Sequence, residues 1–185
     1  MEIMTTRDID GRLAQGWGGD APNGVHVNVL LARRGSPTAA TIMTAFTSPS
    51  EGFTPILASV GPSQASYVTL NPPTVILNKT AAVTDFQQTL VSGAASVGIS
   101  QGVLDAVARG LLEANQESVV LVSLWVDPAA ENETEVKCSA RAATISAIGE
   151  AVTGRTEQER QSLVDERETI THPFYNGISG PSDVE

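Results

Sequence analysis

The stretch GVHVNVLLARRGSP, residues 24 to 37, alternates with a period of two, and this alternation constrains the fold more than any other feature of the chain. In an extended strand successive side chains point to opposite faces. Val25, Val27, Val29 and Leu31 therefore share one wholly apolar face, and His26, Asn28, Leu30 and Ala32 share the other. The first face demands a core. The second opens with two hydrogen-bonding side chains roughly 7 Å apart along the strand, close enough to act on one small ligand. The stretch ends in Ser36 and Pro37, an N-cap residue followed by proline at the first helical position, so a helix is expected from there to about Phe46.

Further along, TPILASVG and PTVILNK read as short apolar strands, and SVVLVSLWVD as a longer one, central because both of its faces are hydrophobic. Between them lies a helical region from Thr84 to Gly110. Its glycines at 93, 98 and 102 predict two helices, or one bent near Gly93. ENETEVKCSARAATISAIGEAVTG gives a helix with Val136, Ala140, Ala143 and Ile148 inward and a stop at Gly154. Cys138, the only cysteine, is expected there as a small, partly buried packing residue. Residues 1–23 contain QGWGGDAPNG and are expected to form an irregular arm. The charged segment after Gly154 predicts a short helix and an edge strand. Residues 24–176 are read as one domain and 177–185 as a flexible tail. The order is β-α-β-β-α-α-β-α, an α+β domain of two layers with a mixed sheet packed by helices.

The net charge of −10 sits in the second half, since residues 1 to 100 hold six acids and five bases whereas 101 to 185 hold fifteen and six. No basic stripe exists to neutralise phosphates, so neither nucleic acid nor an anionic membrane surface is an expected partner. The first residues lack the basic start and apolar run of a signal peptide, and a cytoplasmic location is expected. GWGGDAPNG follows no strand and opens no helix, so it is no dinucleotide fingerprint. His172 has no acidic or histidine neighbour at ligand spacing, and no metal site is expected.

Five blocks in order, HVNVLLARRGSP, GFTPIL, TVILNK, LDAVARG and THPF, together resemble the formaldehyde-activating enzyme family, over about residues 24 to 176. The resemblance implies a ribosomal-protein-like fold with a left-handed β-α-β crossover, assembled as a homopentamer with a pterin cleft between subunits. It implies condensation of formaldehyde with tetrahydromethanopterin, or a related reduced pterin, to the methylene derivative with loss of water. His26 matches the family's general acid, and Asn28, Leu57 and Lys79 match positions of the substrate site. The family's usual aspartate is replaced by Asn28, a common threonine by Ala81, and a glutamine by Ser96. These departures keep a second reading in view, a non-catalytic pterin or formaldehyde binding or sensing protein on the same scaffold.

The chemistry suits these residue types. A carbinolamine formed from formaldehyde and an amine must lose hydroxide, a poor leaving group, before the second nitrogen closes the ring. A histidine, with an ordinary pKa of about 6.5, has both protonation states within reach near neutrality. An aspartate at position 28 would hold imidazolium by charge, whereas asparagine only hydrogen-bonds, so His26 is expected to hold its proton more weakly than in an Asp-bearing relative. Lys79 sits at a strand end before a turn, where a solvated lysine and a ligand-orienting charge are both compatible with the sequence.

Overall fold

The computed structural model describes residues 8–177. They fall into two compact units, one ending at Thr153 and the other beginning at Gly154.

The first unit is an α+β domain. Its sheet has the order β1 (Arg12–Gly18), β2 (Val25–Arg33), β7 (Ser118–Val126), β6 (Thr74–Asn78) and β3 (Ile56–Leu57). β7 is the central strand, as its apolar run predicts. All pairings are antiparallel except β6 with β7, which run parallel. A parallel pair requires a crossover. It is supplied by one continuous helical stretch: α2 (Asp85–Gln88), a wide π-helical segment (Thr89–Ala95) and α3 (Ser96–Ala108). The π-helical segment contains Gly93, where a break or bend was expected. Thr84 caps the stretch and Gly110, at φ 70°, closes it. The stretch is apolar and long enough by composition to cross a membrane, but most of that window is buried within the protein. α1 (Pro37–Thr44) starts as predicted, with Ser36 Oγ accepting from Ala39 N. β4 (Ser59–Val60) and β5 (Val68–Thr69) form a separate small hairpin.

Valines 25, 27 and 29, Leu31, Val120, Val122 and Leu124 are all fully buried, and they make one sheet face. α3 and α4 (Glu133–Thr153) cover it with Ile99, Val103, Val136, Ala140, Ala143 and Ile148. Cys138 points out of this layer and is exposed, contrary to its expected packing role. The opposite face is covered at one end only, where α1 lays Ala39 and Ile42 over Ala32 and Val75. Among the described residues of this unit, no helix covers the rest of that face, which begins at His26.

The N-terminal segment corrects the sequence reading. Residues 12–18 form β1, paired along its whole length with β2. Glycine richness here serves packing. A Cβ on Gly16 would stand 2.1 Å from Ala143 O, and one on Gly18 would stand 2.1 Å from Ser139 O, so β1 lies against the backbone of α4. Arg12 ties the same pair by donating to Val152 O at 2.8 Å, near the end of α4. Asn23 Oδ1 accepts from Glu131 N and Asn132 N, fixing the approach to β2. Asp10 accepts from Arg33 N, Ser36 Oγ and Thr38 Oγ1, which secures the turn between β2 and α1.

The second unit contains α5 (Glu157–Asp165), capped by Thr156 through a reciprocal bond with Glu159. No edge strand follows among the described residues. The tail expected at 177–185 lies outside the described residues except for Gly177.

The α3–α4 contact is as close as that of β1, since a Cβ on Gly98 would stand 2.1 Å from Lys137 O. Replacing glycine by alanine in a helix gains up to about 1 kcal/mol in propensity. Overpacking against a backbone that cannot rotate away costs about 1–3 kcal/mol. Gly98→Ala is therefore expected to lower stability, read as a reduced urea midpoint with an unchanged slope. An unchanged or raised midpoint would show that the two helices have room to separate.

Candidate active site on the open sheet face

The open face is built by strand register. Opposite His26 stand Trp17 on β1 and Trp125 on β7, and opposite Asn28 stand Gln15 and Ser123. Lys79 follows directly after β6, with its backbone N–H donating to Leu124 O. The parallel β6–β7 pairing sets Lys79 level with the His26–Trp125 row, two strands away. Its four-carbon stem crosses β7, and its ammonium arrives between His26 and Asn28. Nζ lies 2.7 Å from His26 Nδ1 and donates to Asn28 Oδ1 at 2.6 Å. The other imidazole nitrogen, Nε2, lies 3.0 Å from Gln15 Oε1.

These contacts determine where the hydrogens are. A lysine ammonium carries three donors and no acceptor. His26 Nδ1 must therefore accept, the ring proton sits on Nε2, and Nε2 donates to Gln15 Oε1. The half-buried ring is held well oriented in its neutral form. Desolvation, and then the positive charge of Lys79, lower the His26 pKa from its ordinary value. Desolvation also lowers the Lys79 pKa. No carboxylate forms an ion pair with Lys79 among the described residues. The site thus carries one positive charge, shared along a lysine–histidine hydrogen bond, with no counter-ion.

Of the four residues singled out in the sequence, the structure brings three together: His26, Asn28 and Lys79. Leu57 is on the same face but pairs with Val75, in the row of Leu121 and Leu30. It lies three strands and four residues from His26, roughly 20 Å by strand and residue spacing. Ser96 is not on the open face. It is buried in α3, on the helix-covered side of the sheet, where its carbonyl accepts from Ser100 Oγ. Ala81 packs beside Gly52, and its neighbour Asn78 donates to Gly52 O and Thr80 O, so the GFT and NK blocks meet there. Gln15 and Trp17 were missed because their segment looked like a loop. A signal was present: Ala14, Gly16 and Gly18 are small and alternate with Leu13, Gln15 and Trp17.

The model of the formaldehyde-activating enzyme family matches residues 16–175. The chain belongs to that family. It is 28% identical over 158 residues to the 5,6,7,8-tetrahydromethanopterin hydro-lyase of Methanosarcina barkeri, covering 84% of this chain and 85% of the relative. It is 27% identical over 168 residues to the bifunctional enzyme Fae/Hps of Archaeoglobus fulgidus, covering 90% of this chain and 41% of that protein. The corresponding enzyme of Methanothrix thermoacetophila is 26% identical over 157 residues, covering 84% of this chain and 38% of that protein. The chain therefore spans about two fifths of the bifunctional relatives and most of the monofunctional one.

The charge balance makes a direct prediction. In an NMR titration His26 is expected to titrate below 6.5, and Asn28→Asp is expected to raise its pKa by supplying the missing counter-charge. Between the lowered folded value and 6.5 the unfolded chain binds more protons than the folded one. Stability is accordingly lost as pH falls from above 6.5 through the folded pKa, and Asn28→Asp narrows that window. An unchanged or lower His26 pKa in Asn28→Asp would contradict the electrostatic assignment.

Proposed function

We propose that this protein condenses formaldehyde with a reduced pterin of the tetrahydromethanopterin type, releasing water and forming the methylene derivative. The observation that carries this reading is the bond between Lys79 Nζ and His26 Nδ1 on an open sheet face, within a chain of the formaldehyde-activating enzyme family. The name of the Methanosarcina barkeri relative, a 5,6,7,8-tetrahydromethanopterin hydro-lyase, supports the substrate class.

The acid in this reading is the lysine–histidine pair. One pterin nitrogen adds to formaldehyde, giving a carbinolamine. Its C–O bond breaks as the Nε2 proton of His26, held by Gln15 Oε1 before substrate arrives, passes to the departing oxygen, and water leaves. Lys79 gives a proton to Nδ1 in the same movement, so neither imidazolium nor hydroxide accumulates. The second pterin nitrogen then attacks the iminium carbon and closes the ring, and the proton it releases restores the pair. Desolvation of Lys79 makes its proton easier to give, and Asn28 holds the ammonium in place through its carbonyl oxygen. Placing both nitrogens and the one-carbon unit in reach of each other supplies the remaining acceleration. Leu57 lies too far from His26 to touch the same pterin within one subunit. It joins the cleft across a subunit boundary, in keeping with the homopentamer expected from the family resemblance.

Stopped-flow measurement of formaldehyde with tetrahydromethanopterin and with tetrahydrofolate tests the proposal. His26→Ala is expected to remove about 10²- to 10⁴-fold of the acceleration, the usual contribution of a positioned acid. Wild type without acceleration on either pterin would leave the binding or sensing reading standing and discard catalysis. The pH profile adds a second test. With Lys79 as the proton source, the rate persists above pH 6.5 and falls only as pH rises through the lowered lysine pKa. A rate that already falls below pH 6.5 would assign the proton to free imidazolium and contradict the pair.

A further inference from the structure

The geometry points to Trp17 and Trp125 as an aromatic subsite on which the flat pyrimidinone ring of the reduced pterin stacks beside His26. This inference rests on the proposed function and adds the residues that would bind and orient the substrate.

These are the only two tryptophans in the chain, and both stand in the same cross-strand row as His26. Their ring centroids are 5.7 Å apart with planes tilted by 33°, and the Trp17 ring lies 6.4 Å from the imidazole. The three rings line one end of the open face. Trp17 is 52% exposed, on the same face of β1 as Leu13 and Gln15. It is nonetheless fixed. Its indole Nε1 donates to Gly19 O at 2.7 Å, so its one polar atom is satisfied without a ligand. Gly24 gives the ring its seat, since a Cβ there would come within 2.6 Å of Trp17 Cζ2. A flat apolar surface is thus presented to solvent by a rigid side chain, which costs little ordering entropy when something binds to it.

The neighbours of this surface identify its occupant. Gln15, Asn28, the neutral His26 and the ammonium of Lys79 stand next to the rings, offering hydrogen bonds in one plane and apolar contact in another. A planar pyrimidinone with polar edges, fused to a second ring that carries the reacting nitrogen, matches both. Stacked on Trp17 at about 3.5 Å, the van der Waals distance between carbons, such a ring would have an edge directed at His26 and not cover it. A second copy of this chain seated over the same row is a poorer fit. Seated flat on the row, and not beside it as in a shared cleft, it would bury the Lys79 charge and would have to bring a carboxylate to pair with it.

Calorimetric titration with tetrahydromethanopterin and with tetrahydrofolate, on wild type, Trp17→Ala and Trp17→Leu, tests the subsite. Leucine keeps apolar bulk and discards the flat face, and circular dichroism confirms that each variant is folded. Both variants are expected to bind about tenfold more weakly, the scale of one lost stacking contact. KM is expected to rise in step, with kcat within twofold of wild type. Because no other tryptophans exist, quenching of intrinsic fluorescence on binding reports this site alone. Wild-type affinity in both variants, or a loss of kcat at constant KM, would overturn the subsite while leaving the proposed function intact. A change of oligomeric state in Trp17→Ala would assign the ring to a subunit interface and overturn it as well. Failure of wild type to bind either pterin would overturn subsite and function together.

Discussion

A lysine ammonium can only donate, and the site is organised around that restriction. Once Lys79 reaches His26, the imidazole has one available tautomer, with its proton on Nε2. Asn28 and Gln15 then complete a chain of donors and acceptors with no competing arrangement. The fold exists to make this contact possible. Lys79 and His26 are distant in sequence and meet because β6 runs parallel to β7, which requires the long crossover helix and a central strand buried on one side.

The two faces of the sheet divide the labour. On one, branched side chains and closely packed helices supply stability, with glycines letting backbone approach backbone at β1–α4 and α3–α4. On the other, α1 covers the end where Ala32 and Val75 are apolar and leaves the polar end free. The positive charge left there attracts electron-rich groups and disfavours a second proton on the histidine. Asparagine at position 28 sharpens this bias. In a site with aspartate the carboxylate would share the ammonium and stabilise imidazolium, whereas asparagine only accepts a hydrogen bond from it.

Much of this was legible in the sequence where local chemistry decides structure. The alternation of residues 25–32, the Ser36–Pro37 cap and the apolar run of β7 fixed three elements and the side of the sheet that His26 occupies. His26 and Asn28 were singled out by the strand alternation and, with Lys79, by family resemblance, and register brings the three together. What was not legible depended on partners distant in sequence. Gly16 and Gly18 read as loop residues because their purpose, room for α4, is visible only once α4 is in place. With β1 missed, Gln15 and Trp17 were missed. Cys138 read as buried because helical periodicity in a weakly amphipathic segment does not determine its facing. Leu57 matched a site position by pattern, yet strand pairing sets it at the far edge of the face.

The most direct test of the central claim is the tautomer of His26, read from two-bond nitrogen–proton correlations of the ring in uniformly ¹⁵N-labelled protein above pH 7. The account predicts a proton on Nε2 and an unprotonated, hydrogen-bond-accepting Nδ1, with that signature lost in Lys79→Met. A proton found on Nδ1 in the wild-type protein would mean that Lys79 does not donate to the ring, and the lysine–histidine pair would cease to exist as an acid.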